Sequence, residues 1–362
     1  MIIAWKEIAH HPKKFILIEL LIIVMMFMVV FLTGLTNGLG RAVSSQIENY
    51  GKVTYLLSSD SEGLITFSTM TDKQLDELKK SNIDTSNGLA IQRASISQLS
   101  SDKKEDVTYF AIENGQLLEP KLTSGQGLFH QKNSIVLDQS FEEKGIQIGD
   151  VVKDVASKKT LVVSGFAKDA MYGHSPVAFI SNATFETLRK ESLPSYQWAP
   201  QAYLTKKPVK AAQLPEGIKS FTQKTVISKI PGYAAENMTL TMITWVLLIA
   251  SSAILGVFFY ILTLQKLKQF GVLKAIGMSM TEIAGIQLSQ IGILAFLGLG
   301  IGVAVATLLA QILPASMPFY LVWSDVFLVT ASFFIIAMIC GCLTLLKVKQ
   351  VDPVQVISGN EE

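Results

Sequence analysis

The sequence predicts a membrane protein with four transmembrane α-helices, one before and three after an α+β extracytoplasmic domain. Three observations carry that prediction. Long uncharged apolar runs occupy 15–33 (broken only by Glu19), 239–264, 283–313 and 326–346. At about 1.5 Å per residue each reaches across the roughly 30 Å hydrocarbon core of a bilayer. The segment between the first and second runs is polar and soluble in texture. The 362-residue chain is 49% hydrophobic yet 17% charged, which suits a membrane bundle joined to a hydrated domain.

In chain order, residues 1–14 mix Ile2, Ile3, Trp5 and Ile8 with Lys6, Glu7 and His10 ahead of Pro12. They read as an amphipathic helix on the cytoplasmic surface, with a frayed tail as the alternative. The first span, 15–37, is expected to be retained, because Thr33-Gly34-Leu35 makes a poor signal-peptide cleavage site. Glu19 lies near its cytoplasmic end, within reach of the interface or of a lysine.

The domain 38–238 begins with a polar stalk over 38–50. A helix follows over 71–81, with Thr71 at the N-cap and Leu75 and Leu78 on one face. Short β-type runs cover 91–96, 107–112, 134–137, 160–163 and 177–180. The stretch 134–152 combines a strand, a short helix capped near Asp138, and a strand entered through Gly149. The domain has no cysteine and needs none, since it is long enough to bury an adequate core.

The second span, 239–264, carries a small-residue strip at Ser251, Ser252 and Gly256. The third, 283–313, contains Gly298 and Gly302 in GxxxG spacing, which lets another helix approach closely, either of this chain or of a second copy. The fourth, 325–346, holds both cysteines, Cys340 and Cys342, whose i, i+2 spacing disfavours a disulfide or metal pair.

Orientation follows from Lys and Arg in the short loops. Lys6, Lys13 and Lys14 precede the first span, Lys266, Lys268 and Lys274 stand in the loop 265–282, and Lys347 and Lys349 open the tail 347–362. The link 314–324 has no basic residue. Both termini and the loop 265–282 are therefore placed in the cytoplasm, and the link and the domain outside. The domain's own basic residues do not oppose this, because long domains translocate largely regardless of charge.

No GxxxxGK[ST] phosphate loop, HExxH or CxxC motif, or GxSxG elbow occurs, and the four histidines form no spaced cluster. The chain is expected not to be an enzyme and to bind no permanent cofactor. Energy for any driven work enters from another subunit. A net charge of +2 gives no argument for nucleic acid. The loop 265–282 shows where energy could enter. Phe270, Val272, Leu273, Ile276 and Met278 alternate with Lys266, Lys268, Gln269 and Lys274. Such an apolar-plus-basic knob suits a groove on a cytosolic partner, or else a lipid surface.

At this point the strings become specific. QKLKQFGVLKAIGMSMTEI (265–283) resembles the cytoplasmic coupling segment of the FtsX/MacB-type superfamily of ABC transporter permeases. KQVDPVQVI (349–357) resembles their tail, and SIVLDQSFEEKGIQIGDVV (134–152) their outer-domain signature. Within that superfamily TGLTNGLGR (33–41), DAMYGHSPV (169–177), FFYILTLQKLKQFGVLKAIG (258–277) and SMPFYL (316–321) are most similar to Gram-positive haem-efflux permeases. The resemblance implies a homodimer in the plasma membrane, working with two copies of a separate cytosolic ATPase that binds the ATP and moves the segment 270–282. The small outer domain departs from the larger members and puts a trans-envelope partner in doubt.

The resemblance implies haem, or a similar porphyrin, as the exported substrate, taken from membrane lipid. Ferric haem takes Tyr, His, Met or carboxylate ligands. Glu48 and Tyr50 lie beyond the first span, Tyr233, Glu236, Met238 and Met242 where the chain re-enters, and Met171, Tyr172 and His174 in a third group. Tyr233, Glu48, Met238, Met242 and Tyr172 head the substrate-binding candidates. An interfacial tyrosine belt, a solvated acid and gap-filling methionines are the alternative account of the same residues. Export of an antimicrobial peptide or lipid would share every coupling feature. So would an FtsX-like transmitter that controls an extracellular enzyme without transport.

Overall fold

The structure is a computed structural model and describes residues 6, 7, 10, 12–81, 83–99, 103–313 and 317–349. The expected amphipathic segment 1–14 lies largely outside the described residues, as does the tail from 350 onward. In chain order α1 (Pro12–Asn49) leads to β1 (Thr54–Ser58), α2 (Asp72–Lys80) and the hairpin β2 (Gly88–Gln98) and β3 (Lys104–Ile112). Then come β4 (Leu122–Gly125), β5 (Ser134–Asp138), α3 (Ser140–Glu143), β6 (Val151–Asp154), β7 (Thr160–Ala167), β8 (Met171–Tyr172) and β9 (Ser175–Ser181). The domain ends with α4 (Asn182–Ser192), β10 (Ala202–Thr205), β11 (Ile218–Thr222) and α5 (Gln223–Lys229). Helices α6 (Tyr233–Gln265), α7 (Leu267–Ala275), α8 (Met280–Ile312) and α9 (Trp323–Lys349) complete the described chain.

Two compact units result: residues 1–38 with 238–362, and residues 39–237. The first is helical. Four of its helices, α1, α6, α8 and α9, are long and apolar enough to cross a membrane. Their facing sides bury Ile22, Met26, Val29, Leu255, Phe259, Leu294 and Phe333 in one cluster, while Ile16, Val246, Phe296 and Phe327 stay exposed. This apolar-all-round texture is what a membrane bundle requires.

Two small-residue seams set the helix spacing. A Cβ added at Gly302 would come within 2.8 Å of Met26 Cβ and 3.0 Å of the Ile23 carbonyl, and one at Gly298 would strike Ile22. The GxxxG stripe is thus a seat for α1 of the same chain. At the other end of α1, Phe319 packs its ring over Gly34 and against Phe31, with ring centroids 5.4 Å apart. The Pro318 carbonyl abuts Gly38, Tyr320 N–H donates to the Gly34 carbonyl at 2.9 Å, and Asn37 donates to Asp325 at 2.9 Å. The strings TGLTNGLGR and SMPFYL therefore meet.

The second unit is α+β. Strand order is β11-β1-β10-β2-β3-β9-β5-β7-β4, with β6 pairing both β2 and β7. That double pairing closes β2, β3, β9, β5, β7 and β6 into a ring. Alternate residues divide cleanly, as the period of a strand demands. Val107, Tyr109, Ala111, Ile135, Leu137, Ala178 and Ile180 fill one core, with Tyr109 donating to buried Asp154 at 3.0 Å. Phe110, Ile112, Val136, Val177 and Phe179 face a second core that also takes Val43 and Ile47 of α1 and packs against Tyr233 of α6. Thr71 caps α2 through a reciprocal bond with Gln74, and Asp138 accepts from Ser140 N at the start of α3.

Gly300 has open space beside it, unlike Gly298 and Gly302. Gly300→Ala should leave the midpoint of thermal unfolding in detergent unchanged or raised, by up to about 1 kcal/mol of helix propensity. Gly302→Ala should lower it, by about 1–3 kcal/mol of overpacking.

Candidate functional site

Helix α1 does not stop at the end of its apolar run. Its last turns present Gly40, Ser44 and Glu48 at four-residue intervals, hence on one face. Ser44 Oγ bonds the Gly40 carbonyl at 3.0 Å and donates to Glu48. Arg41 lies 3.4 Å from Glu48 and 3.6 Å from Asp169, joining the helix to the 169–175 loop. The Tyr233 ring edge lies beside Gly40, 3.8 Å from where a Cβ would stand, an ordinary contact distance. Glu48 of α1 and Tyr233 at the start of α6 are both partly exposed.

The 169–175 loop is held onto α1 by backbone bonds. Ser45 Oγ donates to the Asp169 carbonyl at 2.7 Å and accepts from Met171 N at 3.1 Å. Gly173 N and His174 N donate to the carbonyls of Val43 and Ala42 at 2.9 and 3.1 Å. Asp169 and His174 adopt left-handed backbone, φ 47° and 61°. Such conformations cost about 1 kcal/mol or more for a non-glycine residue, and the bonds to α1 offset that cost. His174 Nε2 also meets the Glu236 carboxylate at 3.0 Å, tying the loop to the first turn of α6.

Tyr172 is turned inward. It is buried in the second core, edge-on to Phe110 at 5.5 Å between centroids. Its hydroxyl, like that of Tyr55, has no hydrogen-bond partner among the described residues. Burial pushes the Tyr172 phenol up to about 12, with the Arg93 guanidinium pulling the other way. Ionisation, which iron ligation requires, is therefore costly there. Met238 and Met242 belong to the membrane unit, one turn apart on α6 and 74% and 57% exposed.

The coupling segment has its own geometry. Lys266, at the elbow between α6 and α7, is only 8% exposed. Its ammonium lies 2.6 Å from Glu7, donates to Gln290 of α8 and sits 5.5 Å from the Phe15 ring centre. Phe270 is buried with Ile283, and Leu273 and Met278 pack against that pair. Val272 and Ile276 point outward, 53% and 73% exposed. Gly277 turns the chain at φ 99°, and Ser279 with Glu282 forms the capping box that starts α8.

Residues 16–220 match the family model of the MacB-like periplasmic core domain, and residues 241–353 that of the FtsX-like permease C-terminal. The chain belongs to the MacB/FtsX family of ABC transporter permeases. Among its relatives is a protein of Staphylococcus haemolyticus named as a hemin transport system permease, HrtB. It is 29% identical over 361 residues, with 100% of each chain covered. A Staphylococcus epidermidis protein of the same name is 28% identical over the same span. The extracellular domain of the ABC-type transporter YknZ from Gram-positive bacteria aligns with 47% of this chain and 99% of its own. Its 13% identity and TM-score of 0.33 are too low to bear on the fold.

Residue-by-residue reading missed the roles of Arg41, Ser45 and Asp169 in docking the loop, and of Glu7 as partner of Lys266. Arg41 and Asp169 did stand in two of the strings that carried the family resemblance. Their pairing was the unread part. Because the ion pairs of Arg41 are partly exposed, they contribute about 0.2–1 kcal/mol. Arg41→Gln should lower the thermal midpoint by no more than a few degrees, while amide exchange at 170–175 speeds up. Unchanged exchange there would show that the loop is held by its backbone bonds alone.

Proposed function

We propose that this permease exports haem, or a similar amphipathic porphyrin, from the plasma membrane of a Gram-positive bacterium. In this reading it acts as a homodimer driven by two copies of a separate cytosolic ATPase. The observation that carries the reading is the end-to-end likeness to relatives named for hemin transport. The basic residues of 265–282 and the base-free link 314–324 support placing α7 in the cytoplasm and the domain 39–237 outside. The protein lacks a phosphate loop, so ATP belongs to the partner subunit.

The mechanism is mechanical. The ATPase engages the exposed Val272 and Ile276. Phe270, Leu273 and Met278 anchor α7 on the start of α8, so a push is not absorbed by the helix rolling over. Lys266 holds the elbow to Gln290 and Glu7. From that elbow α6 runs unbroken to Tyr233, about 50 Å at 1.5 Å per residue over 33 residues. A displacement at the cytoplasmic face is carried along the membrane-spanning part of α6 by one continuous helix.

Haem partitions into lipid through its ring and keeps its two carboxylates at the interface. Tyr233, Glu48, Met238 and Met242 are its candidate contacts on the way out, with Tyr172 disfavoured as an iron ligand by its burial. Glu48 of α1 and Tyr233 of α6 each carry an oxygen of the kind that ligates ferric iron.

Purified permease loaded with haemin should show a Soret band that shifts or weakens on Tyr233→Ala or Met242→Ala. Cells lacking the gene should stop growing at haemin concentrations the parent tolerates. Equal tolerance would instead favour peptide or lipid export, or signal transmission. Ile276→Asp should leave the permease inserted but reduce stimulation of the partner ATPase at least tenfold. Undiminished hydrolysis would place the contact elsewhere.

A further inference from the structure

We propose that a cleft in the 39–237 domain binds the carboxylate edge of a flat porphyrin through Arg93 and Arg189. The inference rests on the haem-export reading for its ligand and on the cleft itself for its chemistry. The cavity measures about 570 Å³, within the range of small-molecule sites. Its walls include Arg93 and Ile91 of β2, Thr108 of β3, Phe185 and Arg189 of α4, and Tyr196. One cavity thus holds two guanidinium groups and an aromatic wall.

Neither arginine is neutralised. Arg93 Nη2 donates to the Gly173 carbonyl at 3.1 Å, which fixes the side chain but leaves its charge uncompensated. The Arg189 guanidinium lies over the Tyr196 ring, 5.4 Å from its centre. No carboxylate pairs with either among the described residues. The nearby acid on α4, Glu186, is taken by Lys190 and the Trp198 amide. Arg93 is exposed and Arg189 half-buried, so both guanidinium groups are open to an incoming anion, and two like charges lining one cleft favour a ligand that carries two acid groups. Guanidinium matches carboxylate geometry in a bidentate way that a lysine does not.

The rest of the wall takes the ring. Phe185 stands edge-on to both Tyr196 and Trp198, each 6.1 Å away, so the aromatic surface is rigid. Thr108, fully buried, carries a hydroxyl without a partner among the described residues. It also lines the cleft. A planar apolar ligand with two acid groups satisfies all of these features. A long apolar chain would satisfy the wall alone, and a simple anion the arginines alone.

The test uses the full-length permease in detergent, titrated with protoporphyrin IX and with its dimethyl ester. Quenching of tryptophan emission provides the signal, since Trp198 packs on a cleft residue. The acid should bind at least tenfold tighter than the ester. The Arg93→Gln/Arg189→Gln double variant should lose that preference, either as a tenfold weaker affinity or as one site fewer, while its thermal midpoint stays within a few degrees. Arg93→Lys/Arg189→Lys should restore part of it. Equal binding of acid and ester, or a double-Gln variant that binds like the parent in affinity and stoichiometry, overturns the proposal. Haemin tolerance separates the two readings. If gene loss leaves tolerance unchanged while arginine-dependent binding persists, export fails and the cleft stands. If tolerance needs the gene but porphyrin binding ignores the arginines, the cleft fails and export stands.

Discussion

Inside hydrocarbon a backbone N–H or C=O has no water to bond to, and each one left unmet costs several kcal/mol. That constraint shapes this molecule more than any single contact. It requires the apolar part of the chain to be helical throughout and sends the strands, bulges and turns into residues 39–237. It also explains why α1 and α6 continue past their apolar runs, at 38 and 33 residues. A helix already satisfied from within can leave the bilayer without rearranging a single backbone bond.

With apolar surface on every side, these helices gain little from burying it against one another, so close approach and local polar satisfaction decide their packing. Gly298 and Gly302 admit α1 to α8, and Gly34 and Gly38 admit the Pro318–Phe319 turn to α1. Thr33, Ser252 and Thr263 return their hydroxyls to carbonyls four residues back, whereas both carboxylate oxygens of Glu19, Gln287 Oε1 and Gln290 Nε2 are buried without a hydrogen-bond partner among the described residues. Longer-range polarity stands at both ends of the bundle: Thr263 bonds Thr344 and Gln287, and Lys266 bonds Gln290, at the α7 end, while Asn37 bonds Asp325 and Tyr320 the Gly34 carbonyl at the other. The bundle is thus keyed at both ends.

Much of this could be read from local pattern. The apolar runs gave the spans, Thr71 the start of α2, and the order of residues in 134–152 the strand, helix and strand that follow one another there. The stretch 38–50 read as a polar helix or stalk, and α1 runs through it to Asn49. What escaped were pairings between residues far apart in the chain. Strand β6 is four residues long, and nothing in Val151–Asp154 says that it will bond both β2 and β7 and so close a ring. Arg41 with Asp169, and Glu7 with Lys266, have no shared period to betray them. The GxxxG stripe announced that some backbone would come near without saying whose. Within 270–278 the alternation marked a two-faced helix. Only the start of α8 decides that Phe270 turns in and Ile276 out.

Residues 39–237 enter and leave the bundle only as the continuations of α1 and α6, with the chain crossing at 38/39 and 237/238. An insertion held at two helical necks is a module in the evolutionary sense. Its loops can lengthen and its surface can be recut while the two helical connections are kept. The ancient part of such a lineage would then be the helices and the elbow beneath them, and the inserted lobe the part that diversifies.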